Sequence, residues 1–214
     1  MKSPQNDQQP DVRRLVLDAA IAIITSTGAE SLSMREVARQ AGVSHQAPYH
    51  YFKDRSGIFA AISEEGFQRL AHAFRAVSNT ASSTGESAAK LGFQAYVRFA
   101  IENTGHFRVM FRSDICGIST HSATTEAADD AFNELLEMVR HTVGSSIDAH
   151  ASFTFALMMW SHAHGLSTLV LDGPLANKLP AGTDLQKQVH DVIDLTAHMV
   201  SRQAAEMGLV PAAN

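Results

Sequence analysis

The chain has 214 residues, 45% of them hydrophobic and 18% charged, with a formal net charge of −5 at pH 7. That composition supports a buried core, excludes a disordered chain, and excludes a protein that coats nucleic acid over its whole surface. A single cysteine, Cys116, excludes an intrachain disulfide framework, and no apolar run approaches the roughly 18–20 residues of a membrane span.

The charge is unevenly placed. Residues 1–55 hold seven Lys/Arg against six acids, whereas the remainder holds ten against sixteen. A slightly basic head on an acidic body has the sign expected of a protein that reads DNA through one end. Residues 1–10 are polar and read as a tail without the apolar region of a signal peptide, which makes the cytoplasm the expected location.

From Asp11, the apolar positions Val12, Leu15, Val16, Ala19, Ala20, Ile23 and Ile24 recur at helical spacing, and Gly28 supplies the stop. Ser33 and Glu36 form a capping box, in which each side chain satisfies a free amide of the helix start. The short helix it opens runs to about Gln40, with Met34, Val37, Ala38 and Ala41 inward. Gly42 makes a turn and Ser44 is placed to cap the next helix. Pro48 would then fall at the fourth helical position and remove a hydrogen bond, so a start at His45 or Gln46, or a 3₁₀ opening, fits better. Asp54 caps a long helix with Ile58, Phe59, Ile62, Phe67, Leu70, Phe74 and Val77 on its apolar side.

Residues 78–87 are small and polar and read as a loop and domain boundary. Further helices are predicted over 88–103, 106–112, 124–144 and 149–171, the last apolar nearly all round. A Gly/Pro loop covers 172–182, and Thr183 opens a final helix with Leu185, Val189, Val192, Ile193, Thr196, Met199 and Val200 on one face. With no β alternation, the expectation is an all-α protein of about nine helices. The expected order is a tail (1–10), a three-helix DNA-binding head (11–55), a connecting helix (56–78), a ligand-binding and dimerisation domain (79–206) and a tail (207–214).

Two helices joined by a glycine turn, the second dense with His, Gln and Tyr, have the layout of a helix-turn-helix whose second helix enters the major groove. Ser33, Ala41-Gly42-Val43-Ser44, Tyr49-His50-Tyr51-Phe52 and Arg55 resemble, with spacing intact, the N-terminal pattern of the tetracycline-repressor (TetR) family of transcriptional regulators. Ala47-Pro48 departs from the residues many members carry there, as does Arg55 where Lys is usual; Arg keeps the charge and grips phosphate bidentately. Trp160-Ser161-His162-Ala163-His164-Gly165 resembles the Trp-x-x-x-His-Gly signature of one subgroup of the family's ligand domains.

Chemistry and resemblance together assign base reading to Ser44, His45, Gln46 and His50, with Gln46 suited to adenine. Ser33, Tyr49, Tyr51, Lys53 and Arg55 are placed at flanking phosphates, Arg35 is a further expected DNA contact, and Phe52 lies in the core. The resemblance implies a sensor cavity lined by Phe93, Tyr96, Phe107, Met110, Phe111, Met138, Phe155 and Met159, for a small and largely apolar effector. One short reading helix carries few base contacts, so a homodimer is expected through the apolar 149–171 helix and the amphipathic final helix, with Leu157, Trp160, His164, Leu171, Val189, Ile193, Met199 and Val200 at the interface. The expected partners are operator DNA, the effector and a second copy, with no membrane.

Neither a cofactor nor a metal is expected. His162 and His164 point about 200° apart on a helix. His190, Asp194 and His198 share a face but make a thin ligand set. No nucleophile-elbow or phosphate-loop spacing supports an enzyme. The competing readings are an enzyme or carrier that keeps the helix-turn-helix for packing, and an activator or ligand-free regulator.

Overall fold

The computed structural model describes residues 11–84, 87–116, 121–144 and 146–209. The regular structure of these residues is helical: α1 (Val12–Thr27), a 3₁₀ turn (Ala29–Ser31), α2 (Met34–Ala41), α3 (Ala47–Phe52), α4 (Arg55–Thr84), α5 (Ala88–Glu102), α6 (Thr104–Met110), α7 (Ser113–Cys116), α8 (Ser122–Val143), α9 (Ala149–Leu171) and α10 (Leu185–Glu206). The N-terminal tail, residues 210–214 of the C-terminal tail and the Cys116 side chain lie outside the described residues. The all-α expectation holds, with α7 as a short helix the periodicity did not mark.

The chain divides into two compact units, Met1–Ser63 with Gly105–Ser122, and Glu64–Thr104 with Ala123–Asn214. In the first, Asp11 caps α1 by accepting the Arg14 N–H at 3.2 Å, and Gly28, at φ +87°, ends it. The Ser33 hydroxyl accepts the Glu36 N–H at 3.2 Å, which is half of the expected capping box. The other half is not made, because the Glu36 carboxylate turns outward to Arg39, whose Nε donates to it at 2.9 Å. Gly42, in the left-handed region at φ +66°, turns the chain towards α3. Val16, Ile24, Leu32, Val37, Phe52, Ile58 and Ile62 meet in one apolar core.

Val109 of α6 is fully buried in that same core, and Ile115 of α7 packs against it. The Arg108 guanidinium donates to the Ile24 and Thr25 carbonyls at 3.2 and 2.8 Å, in the last turns of α1, where the Ile24 oxygen also accepts the Gly28 N–H at 3.0 Å. The α6 backbone lies hard against α1 at Gly105, where an added Cβ would sit 2.6 Å from Thr25 Oγ1 and 2.8 Å from the Ile21 oxygen. Arg112 pairs with Glu30 and, at 2.8 Å, with Asp114. By these contacts residues 106–112, expected in the C-terminal domain that starts at 79, cluster with the N-terminal unit.

The loop expected from residue 78 also begins too early, since α4 runs unbroken to Thr84. The Ser78 and Thr80 hydroxyls donate back to the Phe74 and Ala76 carbonyls at 3.4 and 2.8 Å, so these polar residues are satisfied within the helix.

In the second unit α5 packs on α9 and α10. Its buried face carries Ala89, Phe93, Tyr96, Val97 and Ala100. Gly92 is covered by Met138 of α8, whose sulfur would lie 2.1 Å from an added Cβ. Lys90 pairs with Asp194 of α10 at 2.7 Å, and Arg75 of α4 with Glu134 of α8 at 2.6 Å. Asp148 caps α9 through the Ala151 N–H at 2.9 Å. Asp184, rather than Thr183, caps α10, accepting the Gln186 and Lys187 N–H groups at 2.8 and 3.3 Å.

Candidate nucleic-acid interface

The second helix of the helix-turn-helix is six residues long and starts later than Ser44. Gln46 is its N-cap position and makes no side-chain cap bond, while Pro48 falls in the first turn. There its missing N–H is one that a helix start leaves unpaired anyway, and the ring is buried. Backbone bonds from Ala47 N to the Ser44 oxygen and from His50 N to the Gln46 oxygen, both 3.0 Å, lead the chain into the helix.

Ser44, His45, Gln46, Tyr49, His50 and Tyr51 are all exposed. Tyr49 is 51% and Tyr51 41% exposed, too much for core aromatics, whereas Phe52 is 5% exposed beneath the Arg13 guanidinium, 5.1 Å from its ring centroid. The His50 and Tyr51 rings meet edge to face at 4.9 Å. The exposed side is therefore rich in donors and acceptors for base edges, and the buried side anchors it.

The flanking residues differ in how free they are. Arg35 and Lys53 are exposed. Ser33 spends its oxygen on the α2 cap and keeps its O–H to donate. Arg55 is partly committed, for its Nη2 donates to the Ala29 oxygen at 3.1 Å and its guanidinium lies 5.2 Å from the Phe59 ring centroid. Arg39 is tied to Glu36, which holds that carboxyl below the usual range through the side-chain hydrogen bond.

Residues 16–62 match the family described as bacterial regulatory proteins, tetR family, and residues 91–200 match the tetracyclin repressor-like C-terminal domain. The chain belongs to the TetR family. That is a family of DNA-binding transcriptional regulators rather than of enzymes.

Among curated relatives, the HTH-type transcriptional regulator BetI of Cronobacter sakazakii is 34% identical over 73 residues, 34% of this chain and 36% of that protein. AcrR of Shigella flexneri is 34% identical over 64 residues, 30% of each chain. The chain thus spans about a third of the length of the curated relatives it matches. A solved structure of a protein of unknown function from Rhodococcus sp. RHA1 superimposes with a TM-score of 0.72 at 26% identity, over 94% of this chain and 98% of that one. A tetR-family regulatory protein from Rhodococcus RHA1 shares the fold with a TM-score of 0.64 at 18% identity, over 90% and 98% of the two chains.

As a TetR-family chain it keeps its expected sensor residues in two places. Phe93, Tyr96, Met138, Phe155 and Met159 are buried in the second unit. Phe107, Met110 and Phe111 belong to the first, where Phe107 and Phe111 meet edge to face at 5.7 Å. Tyr96 also draws in two residues expected at the dimer surface. The Trp160 Nε1–H donates to its hydroxyl at 3.2 Å, and His164 Nδ1 lies 2.9 Å from the same oxygen. Because Trp can only donate, the Tyr96 oxygen accepts from it, and the direction of the Tyr96–His164 bond follows the imidazole tautomer. Burial pushes the Tyr96 hydroxyl up and the His164 imidazole down from their ordinary values, both favouring the neutral forms.

Of the other expected interface residues, Ile193 and Val200 are 4% and 2% exposed, so the chain's own helices already cover them and they are core. Leu157 and Met199 are exposed, and Leu171 and Val189 half-buried. Phe153, Leu169, Val192 and Leu195 are also exposed and were not anticipated. Phe153 stands four residues before Leu157 on α9 and Leu195 four before Met199 on α10, and that spacing was the available signal. Among the described residues no group of three His, Cys, Asp or Glu can hold a metal, and no helix is long and apolar enough to cross a membrane. Asp194, one of the weighed ligands, is instead held below the usual carboxylate range by Lys90.

Proposed function

We propose that this protein is a homodimeric repressor that leaves its operator when a small, largely apolar effector binds. The observation that carries the reading is the α3 surface, where Gln46, Tyr49 and His50 stand exposed on a helix fixed from behind by Pro48 and Phe52. Ser44, His45, Gln46 and His50 read bases, while Ser33, Arg35, Tyr49, Tyr51 and Lys53 hold phosphates, Arg55 giving only what its bond to Ala29 leaves.

So short a helix offers few base contacts, so two copies reading successive grooves are needed for tight binding. Support for the second copy comes from the large apolar side chains left exposed on α9, Phe153, Leu157 and Leu169, and from Leu195 and Met199 on α10, 64% and 58% exposed. The effector is assigned to the second unit, where Phe93, Met138, Phe155 and Met159 supply deformable apolar surface and Tyr96 with His164 a polar end. The Trp160–His164–Gly165 signature supports placing this domain in the Trp-x-x-x-His-Gly subgroup.

The test is a gel shift on operator DNA selected from random duplexes. Gln46→Ala and Tyr49→Ala are expected to abolish the shift with an unchanged melting temperature. Native affinity in both variants would remove α3 from the reading.

A further inference from the structure

The junction between α3 and α4 has a shape that exposure and charge do not explain. Lys53 has φ +63° and ψ −54°, and among the described residues it is the one non-glycine with positive φ. The Asp54 N–H donates to the Phe52 oxygen at 2.7 Å, closing a three-residue γ-turn of the rare, strained hand. Such a conformation persists only where its surroundings over-determine it.

Those surroundings are visible. The turn folds the Phe52 carbonyl onto the first turn of α4, where a Cβ at position 57 would lie 2.0 Å from its oxygen and 3.1 Å from its carbon. That neighbour is backbone, and it has little room to retreat, because the Phe52 ring is buried and the Lys53 N–H is held by the Tyr49 oxygen at 3.0 Å. Asp54 Oδ1 closes the other side by accepting the Gly57 N–H at 2.9 Å. Arg55, between them, is tied to the Ala29 carbonyl. Glycine near a helix start is otherwise a poor choice, since it lowers helix propensity without capping.

We infer that Gly57 is a positioning residue for operator recognition: its missing side chain lets the α3–α4 junction close into the Lys53 γ-turn, and that turn sets the angle at which the reading helix leaves α4. In a dimer this angle fixes how each α3 meets its groove, so it acts on half-site spacing and on discrimination between operator and other DNA. The inference rests on the DNA-binding reading and adds a residue that itself touches no base.

The experiment uses the full chain. Operators are selected from random duplexes with the native protein, then affinity for the selected operator and for an unrelated duplex of equal length is measured for Gly57→Ala, Lys53→Gly and Lys53→Pro. Selection is repeated with each variant to read half-site spacing. Gly57→Ala is expected to lower the ratio of operator to unrelated-duplex affinity roughly tenfold and to move the preferred spacing, with affinity for the unrelated duplex kept.

The two Lys53 variants both lose the charge, but only proline forbids the positive φ. Lys53→Gly therefore weakens both duplexes alike and keeps the native ratio, whereas Lys53→Pro loses the ratio as Gly57→Ala does. A native ratio and spacing in Gly57→Ala overturns the inference. Should that variant not fold, a native ratio in Lys53→Pro overturns it instead. A native chain that enriches no duplex at all overturns the DNA-binding reading beneath it, which is a different result from either.

Discussion

The two compact units place polarity in opposite ways. The first buries an apolar core from Val16 to Val109 and turns Gln46, Tyr49, His50 and Lys53 outward. The second holds a hydrogen-bonded Tyr96–Trp160–His164 group among its helices and leaves Phe153, Leu157, Leu169, Leu195 and Met199 in solvent. A surface of donors and charges suits a hydrated, negatively charged partner, whereas a surface of large apolar side chains on two neighbouring helices is the kind that association covers. The first unit is polar where α3 is exposed, and the second carries an exposed apolar face on α9 and α10.

Charging that face should break the contrast most sharply. Leu157→Glu combined with Leu195→Glu is expected to leave a monomer near 23.1 kDa in place of a species of twice that mass, by size exclusion with light scattering. Operator affinity should fall by about 100-fold or more, because half-site energies no longer sum. A dimer that survives both charges would mean that the apolar face serves something else.

The next effect concerns the first unit. Val109→Ala removes fully buried methyl groups and should cost about 1–3 kcal/mol in denaturant unfolding, although the residue lies far along the chain from the helix-turn-helix. An unchanged unfolding midpoint would detach α6 from the head core. Within the second unit, Tyr96→Phe leaves the Trp160 N–H and His164 Nδ1 without the bonds made here and should cost about 1–3 kcal/mol. Trp160→Phe should cost less in the same background than in the native one if the three residues act as a group.

The smallest effect is a pH dependence. Burial holds the folded His164 below its ordinary pKa, so near and below the ordinary value the unfolded chain binds more protons than the folded one. Stability from this group is complete above the ordinary imidazole range and declines as pH falls through and below it, which a melting series should register as a rising slope. His164→Gln should flatten that slope, and an equal slope in the variant would assign it to other groups.

Much of this arrangement is legible in sequence wherever a local rule decides it. The stop at Gly28, the Ser33 cap, the turn at Gly42 and the extent of α9 each follow from a few neighbouring residues. Pro48 was informative because proline cannot donate, which forced the later start of α3 that the structure has. The misreadings arise where distant residues decide. Nothing near Val109 says that it fills a core built from residues 16–62. Ser78 and Thr80 have loop composition, yet their hydroxyls are satisfied inside the helix. Ile193 and Met199 share the apolar pattern of one helix, but only coordinates show that the chain covers the first and not the second. Gly57 carried a local signal, an unfavoured residue in a helix start, whose meaning depends on where the Phe52 oxygen goes.

The burial of Val109 bears also on the order in which this protein can be made. Chains emerge from the ribosome N-terminus first, and domains generally fold as units as they appear. Here the helix-turn-helix leaves early, but the last side chain of its core and the Arg108 bonds to the end of α1 arrive more than forty residues after Ser63. Until α6 is out, the head has an unfilled apolar gap and lacks the Arg108 bonds to the last turns of α1. The nascent chain therefore completes its DNA-reading part only after α5 has been synthesised, and a fragment cut at Ser63 would remain at that earlier stage.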